Sequence, residues 1–322
     1  MKKLKFVVTG GAGLIGSWVV DDLLQEFDKD IKEIVVLDNF VRGTKANLKN
    51  ALKSKKVKII KGDIRDPKTV SRVLKKADYV IHEAAIRITQ CAEDPRLCNE
   101  VLVDGTFNVF EACVKNKVKK LVFNSSASVY GDPSYLPMDE NHPYNNLTAY
   151  GAAKIANEHM AKAFRKMYGL NYVCLRPFNV YGPRMDIYGV YTEVLIRWLD
   201  RIDEGLPPMI FGDGKQTMDF VYAEDVARAT ICALKSDINE GCYNVGTGKE
   251  TSLNQLLETL LRVTQSKLKP VYGPQRTVND VLRRQADIKK SKKDLGFVAK
   301  ISIREGLQGL IDWRKEQLSE KP

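Results

Sequence analysis

The feature that most restricts how this chain can fold lies close to its start. Thr9 to Ser17 reads TGGAGLIGS, set between the apolar run FVVTG and a helical pattern from about Leu14 to Phe27, and EIVVLD follows. A strand that turns at once into a helix needs glycine wherever an unusual backbone angle or a close approach bars a Cβ, and Gly10, Gly13 and Gly16 hold those places. The helix start offers free N–H groups and a positive dipole end to a pyrophosphate. Asp38 closes the second run, about 20 residues beyond the glycines, where a carboxylate accepts hydrogen bonds from adenosine ribose hydroxyls. Strand, turn, helix and acid together read as a dinucleotide site. A carboxylate there would repel a 2′-phosphate, which favours NAD over NADP, with Arg42 nearby pulling the other way.

The same rhythm continues through the first half. VKIIKGD precedes a helix near Lys68 to Leu74, YVIHEAA a helical run near Val101 to Val114, and KLVFNSS a long helical pattern from Tyr150 to Tyr168, after which comes NYVCLRP. Six short β-branched runs alternating with amphipathic ones predict an α/β fold, a doubly wound parallel sheet with crossover helices. After Arg176 the pattern breaks at Pro177, Pro183, Pro207 and Pro208, with glycines at 212, 214, 246 and 248, which suits a smaller α+β C-terminal lobe. FVYAEDVARATICAL and CYNVG again read as strand, helix, strand. The expected division is therefore a cofactor-binding domain over residues 1–180 with a returning segment at about 215–245, a substrate lobe over 181–322, and a cleft between them.

Composition narrows the function classes. A 322-residue chain with 44% hydrophobic residues can bury a sizeable core, and neither a signal-peptide pattern nor an apolar run long enough for a membrane span is present, so the expectation is a soluble cytoplasmic protein. The six cysteines are scattered without a CxxC pair, and neither disulfides nor zinc are expected. The net charge of +11 comes from lysines mixed with acids on helix faces, as in KKSKKDLG and WRKEQLSEK, with no nucleic-acid motif; it reads as solvated surface that would also favour a diphosphate-bearing substrate. His82, His142 and His159 form no metal or triad set, no GxSxG elbow is present, and His82 reads as structural.

Two further motifs carry chemistry. In YGAAK, Tyr150 and Lys154 stand four residues apart at a helix start and so face the same way, one turn apart. An ammonium held beside a phenol favours its ionised form, which suits a proton-transfer pair. NSSASVYG ends the fifth strand, at the sheet edge where ligands of such folds bind. Ser126 is the candidate there for a hydrogen bond to a reacting hydroxyl, while Ser125 and Ser128 read as turn caps.

With these motifs in place the chain resembles the extended short-chain dehydrogenase/reductases that act on nucleotide sugars. The resemblance spans nearly the whole length, through TGGAGLIGS, VVLDNF, KGDIRD, HEAA, NSSASVYG, YGAAK, RPFNVYGPR, FGDGKQTMDFVYAEDV, YNVGTG and ADIKKSKKDLGF. It implies a Rossmann-type domain, NAD as cofactor and a nucleotide-sugar substrate. It also implies a cofactor site of Gly10, Gly13, Leu14, Ile15, Gly16, Asp38, Asn39, Asp63, Ile64, Ala84 and Ala85 with Tyr150 and Lys154, in which Asp63 and Ile64 flank the adenine. On the substrate side it implies Ser126, Asn179 and Arg184, and it commonly goes with a homodimer built through two helices per subunit.

Within such a family the neighbours of the active serine decide the chemistry. Members resembling 4,6-dehydratases carry an Asp-Glu pair after it, and decarboxylases a Glu at the second place; here these are Ala127 and Ser128, as in 4-epimerases. In that reaction Tyr150 takes the C4 hydroxyl proton as hydride passes to NAD, the 4-keto sugar turns over, and hydride returns to the opposite face. A dehydratase, a decarboxylase, a reductase and a silent NAD-binding regulator are the alternatives. GPRMDIYGVYTEVLIRW resembles the substrate loop of epimerases of UDP-N-acetylhexosamines. Three features depart from the familiar pattern: Leu102 in place of an Asn near the nicotinamide, Met218 in place of an Arg on the diphosphate, and ADIKKSKKDLGF preceded by NDVLRR, which resembles decarboxylases more than glucose epimerases. Arg284, the last residue of NDVLRR, sits near the substrate gate, where it could contact a carboxylated or substituted sugar or take over part of the diphosphate binding.

Overall fold

The computed structural model describes residues 3–188, 193–274 and 281–319, so Gly189–Thr192 of the expected substrate loop and Asn279 and Asp280 of NDVLRR lie outside it. The chain runs β1 Leu4–Thr9, α1 Leu14–Phe27, β2 Ile31–Asp38, β3 Val57–Lys61, α2 Pro67–Leu74, β4 Tyr79–His82, α3 Ile88–Glu93, α4 Pro95–Asn99, α5 Gly105–Lys115, β5 Lys120–Asn124, α6 Ala149–Tyr168 and β6 Tyr172–Pro177. Then come β7 Asn179–Tyr181, α7 Val194–Asp203, β8 Met209–Phe211, β9 Thr217–Met218, β10 Phe220–Tyr222, α8 Ala223–Lys235 and β11 Cys242–Val245. It closes with β12 Thr251–Ser252, α9 Leu253–Thr264, β13 Val271–Gly273, α10 Lys289–Leu295 and α11 Ile303–Ser319.

Seven parallel strands form one sheet in the order β11-β6-β5-β4-β1-β2-β3. The chain therefore starts mid-sheet, winds out to β3, then returns past β1 to build the other half. This is the Rossmann-type doubly wound fold, and its direction of winding reverses between β1 and β4, which opens a crevice at their carboxyl ends. Side-chain alternation explains why these runs became buried strands. On β1, Phe6 and Val8 face a core completed by α1 and α8 (Val19, Val20, Val226, Ala229), whereas Val7 faces the opposite core with Val70, Val109 and Phe110 of α2 and α5. CYNVG supplies the seventh strand, where β11 pairs with β6. FVY does not reach that sheet: β10 pairs with β7, Val221 opposite Val180.

A third core belongs to the C-terminal elements, where Trp198, Leu256, Leu257, Leu260, Leu307 and Leu310 bring α7, α9 and α11 together. Among the described residues no helix is long and apolar enough to cross a membrane.

One expectation is overturned. Cys91 and Cys98 form a disulfide, with Cα atoms 4.8 Å apart. Asp94 ends α3, caps α4 by accepting the Leu97 N–H at 2.9 Å, and with Pro95 reverses the chain, so that two cysteines seven positions apart meet. The bridge is buried beside Leu102 and Ala153, with Tyr150 packed against that cluster. Leu102 itself lies in a π-helical turn, Glu100–Asp104, that precedes α5.

Candidate functional site

The crevice is lined by the residues the glycine motif led to. Gly10 has φ +69°, and a Cβ there would stand 2.5 Å from the main-chain N of Ala84, two residues beyond β4. A Cβ on Gly16 would run into the Gly10 carbonyl. Glycine at both places therefore lets the turn, the start of α1 and the chain after β4 pack directly on one another, which sets the turn where a pyrophosphate can reach the start of α1. No side chain caps that helix, so its N-terminus stays open to a ligand. Asp38 Oδ2 accepts the Ala12 N–H and Oδ1 the Phe40 N–H, both at 2.9 Å. The acid thus pins the glycine turn as well as facing the cavity.

These residues share one cavity of about 1100 Å³ with Ser126, Tyr150 and Asn179. That volume lies above the range of an ordinary small-molecule site and leaves room for more than one drug-sized ligand. At the far end of the glycine turn, Asn39 Nδ2 donates to Asp63 Oδ2 at 3.0 Å, and Arg65 pairs with the same carboxylate at 2.9 Å. Arg65 holds the Asp63 carboxyl down to about 2. Ile64, Ala84 and Ala85 also face the cavity, as do Leu14 and Ile15.

At the other end, Thr148 starts α6 by accepting the Gly151 N–H at 3.1 Å, which fixes the first turn carrying Tyr150. The Lys154 ammonium donates to the Asn124 carbonyl at 2.7 Å and lies 5.7 Å from the centre of the Tyr150 ring, behind the cavity wall. Capping here differs from the sequence reading: Ser126 itself caps the turn Ala127–Val129, accepting the Ser128 N–H at 3.1 Å, and its hydroxyl meets the Ser128 hydroxyl at 3.2 Å. His82 is sealed between Thr9 and Thr106, at 2.6 and 3.0 Å, and burial with the nearby Lys154 pushes it down to about 3, so it stays neutral.

The substrate-side candidates fare unequally. Asn179 lies on the wall, held by its N–H to the Asp219 carbonyl at 2.9 Å. Arg184 is turned toward α1: it pairs with Asp21 at 2.5 Å and stacks 4.0 Å from the Trp18 ring, though part of it still meets the cavity. Arg284 is buried in the wall near Met218, and burial brings its guanidinium down to about 10 against the opposing pull of Asp132. Leu102 is not at the wall at all; its carbonyl accepts the Asn157 side-chain N–H at 2.9 Å.

Among the charged lining residues that the sequence reading did not assign to the site are Arg42, Arg87 and Glu83. Arg87 reaches Glu193 at 3.6 Å, and its Nη1 is buried without a hydrogen-bond partner. Burial and Arg87 lower the neighbouring Arg42 to about 10. Glu83 stands inside HEAA beside its two small residues and Arg87 two positions after them, and these charges on the cofactor path were the available signal.

Residues 6–246 match the NAD dependent epimerase/dehydratase family. The chain belongs to that family. A putative UDP-glucose 4-epimerase from Methanocaldococcus jannaschii is 38% identical over 314 residues, covering 96% of this chain and 98% of the relative. The UDP-N-acetylglucosamine 4-epimerase of Methanobrevibacter ruminantium, solved with UDP-N-acetylmuramic acid, superposes with a TM-score of 0.91 at 35% identity over 98% of this chain and 100% of that one. The UDP-glucose 4-epimerase of Thermus thermophilus, solved with NAD, does so with a TM-score of 0.86 at 34% identity over 97% and 99%. Family membership makes this an NAD-dependent enzyme, and the glycine turn, open helix start and Asp38 fit that cofactor.

Proposed function

We propose that this protein epimerises C4 of a nucleotide-linked hexose, with UDP as the nucleotide, using Tyr150 as acid and base. The observation that carries this is that Ser126 and Tyr150 open into the same cavity as the glycine turn, with Lys154 held directly behind the phenol ring. Tyr150 would take the C4 hydroxyl proton and later return it, Ser126 would hold the reacting oxygen, and the Lys154 ammonium would favour the ionised phenol. NAD, bound at the glycine turn, supplies reversible hydride acceptance at C4 and is regenerated in each cycle. The two positions after Ser126 hold Ala127 and Ser128 rather than carboxyls, which disfavours water loss or decarboxylation as the outcome.

On the substrate side, Asn179 and Arg284 would hold the nucleotide diphosphate, Arg284 standing in for the cation that Met218 lacks. Residues 1–180 with the returning 215–245 would carry the cofactor, and residues 181–322 the sugar nucleotide. A homodimer through α5 and α6 is supported by the exposed Phe107, Met167 and Tyr168 on those helices. Its two ligands, a dinucleotide and a nucleotide sugar, favour the cytoplasm as its compartment. The test is to incubate the protein with UDP-glucose, UDP-N-acetylglucosamine and UDP-glucuronate and follow sugar proton couplings by NMR. One of them should convert to its C4 epimer; net NADH formation or a 4-keto-6-deoxy product would refute the proposal.

A further inference from the structure

Next to the proton-transfer pair lies an acid for which the proposed reaction has no use. Glu83 follows the last residue of β4 and lines the cavity. Its Oε2 accepts from Asn124 Nδ2 at 2.5 Å, and the main-chain oxygen of the same Asn124 accepts from Lys154 Nζ at 2.7 Å. Asn124 thus joins carboxyl and ammonium with one side-chain and one main-chain bond. The second carboxyl oxygen, Oε1, is sealed from solvent with no hydrogen-bond partner. A carboxylate so placed leaves acceptor capacity unmet, which favours the protonated form unless a cation compensates. The cation facing it is Lys154 of α6. From β5 it meets the neutral Asn124 amide, and the adjacent His82 is kept neutral between the hydroxyls of Thr9 on β1 and Thr106 on α5.

We propose that Glu83 is a positioning residue for proton transfer: through Asn124 it fixes the Lys154 ammonium behind Tyr150, and by holding or releasing its own proton it sets the net charge there. With Glu83 protonated, the Lys154 charge acts on Tyr150 undiminished. With Glu83 ionised, that charge is largely cancelled and the phenolate loses its support. Burial raises the Glu83 carboxyl to about 8, against the opposing effects of Lys154 and of the Asn124 hydrogen bond. The change of state therefore falls in a range where enzymes work. Turnover should decline as pH rises through it.

This rests on the epimerase reading, so the test has one arm that needs no turnover. In protein labelled with 13C at glutamate side chains, one carboxyl signal should titrate near pH 8 and be missing from Glu83→Gln. Lys154→Met, which removes the opposing charge, should move it higher. In the second arm, kcat and KM are measured from pH 6 to 10. The wild type should lose up to about tenfold in kcat between pH 7 and pH 9, the fall expected when a group titrating near 8 passes from mostly protonated to mostly ionised and turnover follows the protonated form. Glu83→Gln, which keeps an acceptor for Asn124 but cannot ionise, should stay flat across that window with KM little changed. The proposal is overturned if no glutamate signal titrates above pH 6, or if Glu83→Gln lowers kcat by the same factor at every pH. Absence of any epimerisation by the wild type would sink the functional reading and leave the NMR arm to decide the role of Glu83.

Discussion

Replacing Glu158 with Gln tests how α6, the helix that carries Tyr150 and Lys154, is anchored. Glu158 is fully buried and receives two hydrogen bonds from Arg176 of β6, Nε to Oε1 at 2.9 Å and Nη2 to Oε2 at 2.6 Å. Arg176 is also buried and donates to the Tyr130 and Tyr144 hydroxyls, each at 2.8 Å. Burial alone would push the Glu158 carboxyl up, but the Arg176 bonds hold it below the ordinary range. Removing one charge of such a pair strands the other in a dry interior, which costs about 3–5 kcal/mol. Arg176→Met in the Glu158→Gln background removes the stranded charge and should recover much of that loss. Urea unfolding at pH 7 reads both variants through their midpoints at constant slope. Because the folded-state carboxyl is depressed, the pair's contribution is present above the unfolded value near 4.5 and fades as pH falls through the folded value. A loss under about 1 kcal/mol for Glu158→Gln, or no recovery in the double variant, would refute the view that a buried ion pair anchors this helix.

Other substitutions probe separate parts of the molecule. Asp22, half-buried near Glu224, Asp21 and Glu26, has its carboxyl raised to about 7, first by burial and then by those acids. Folding therefore works against its ionised form, and stability falls from about pH 4 to pH 7. Asp22→Asn should raise the melting midpoint at pH 8 by an amount equivalent to about 1–2 kcal/mol after allowance for solvent screening, and leave it unchanged near pH 4. Gly16→Ala should weaken NAD binding by tenfold or more, on the order of 1.4 kcal/mol, because the new methyl displaces the Gly10 carbonyl; fluorescence titration reads this. Arg284→Met should raise KM for the sugar nucleotide with little effect on NAD affinity, and an unchanged KM would remove Arg284 from the substrate site.

Much of this was legible because it is local. The buried runs FVVTG, IVVLD and KLVFN, the glycine turn with Asp38, and the one-turn spacing of Tyr150 and Lys154 each express a short-range rule. What stayed hidden depends on distant segments meeting. The Cys91–Cys98 bridge needs the chain reversal at Asp94 and Pro95, which no cysteine spacing rule covers. Arg184 is drawn away by Asp21, 163 positions earlier on α1. Glu83 sits in sequence beside a small-residue cofactor path, and its charge gains meaning only when β5 and α6 bring Asn124 and Lys154 against it. Ser126 reads from sequence as a hydroxyl for a substrate, but its additional work as a turn cap follows from the tight turn after β5.

The most direct measurement follows the hydrogen at C4 of the converted sugar nucleotide in D2O, with wild type and Tyr150→Phe in parallel. Hydride that leaves C4 and returns within one closed cycle never mixes with solvent. The wild-type product should therefore keep protium at C4 with an altered coupling constant, and Tyr150→Phe should slow its formation by at least about a hundredfold. Deuterium at C4 or C5 of the product, or a Tyr150→Phe variant as fast as the wild type, would contradict epimerisation by Tyr150 at C4.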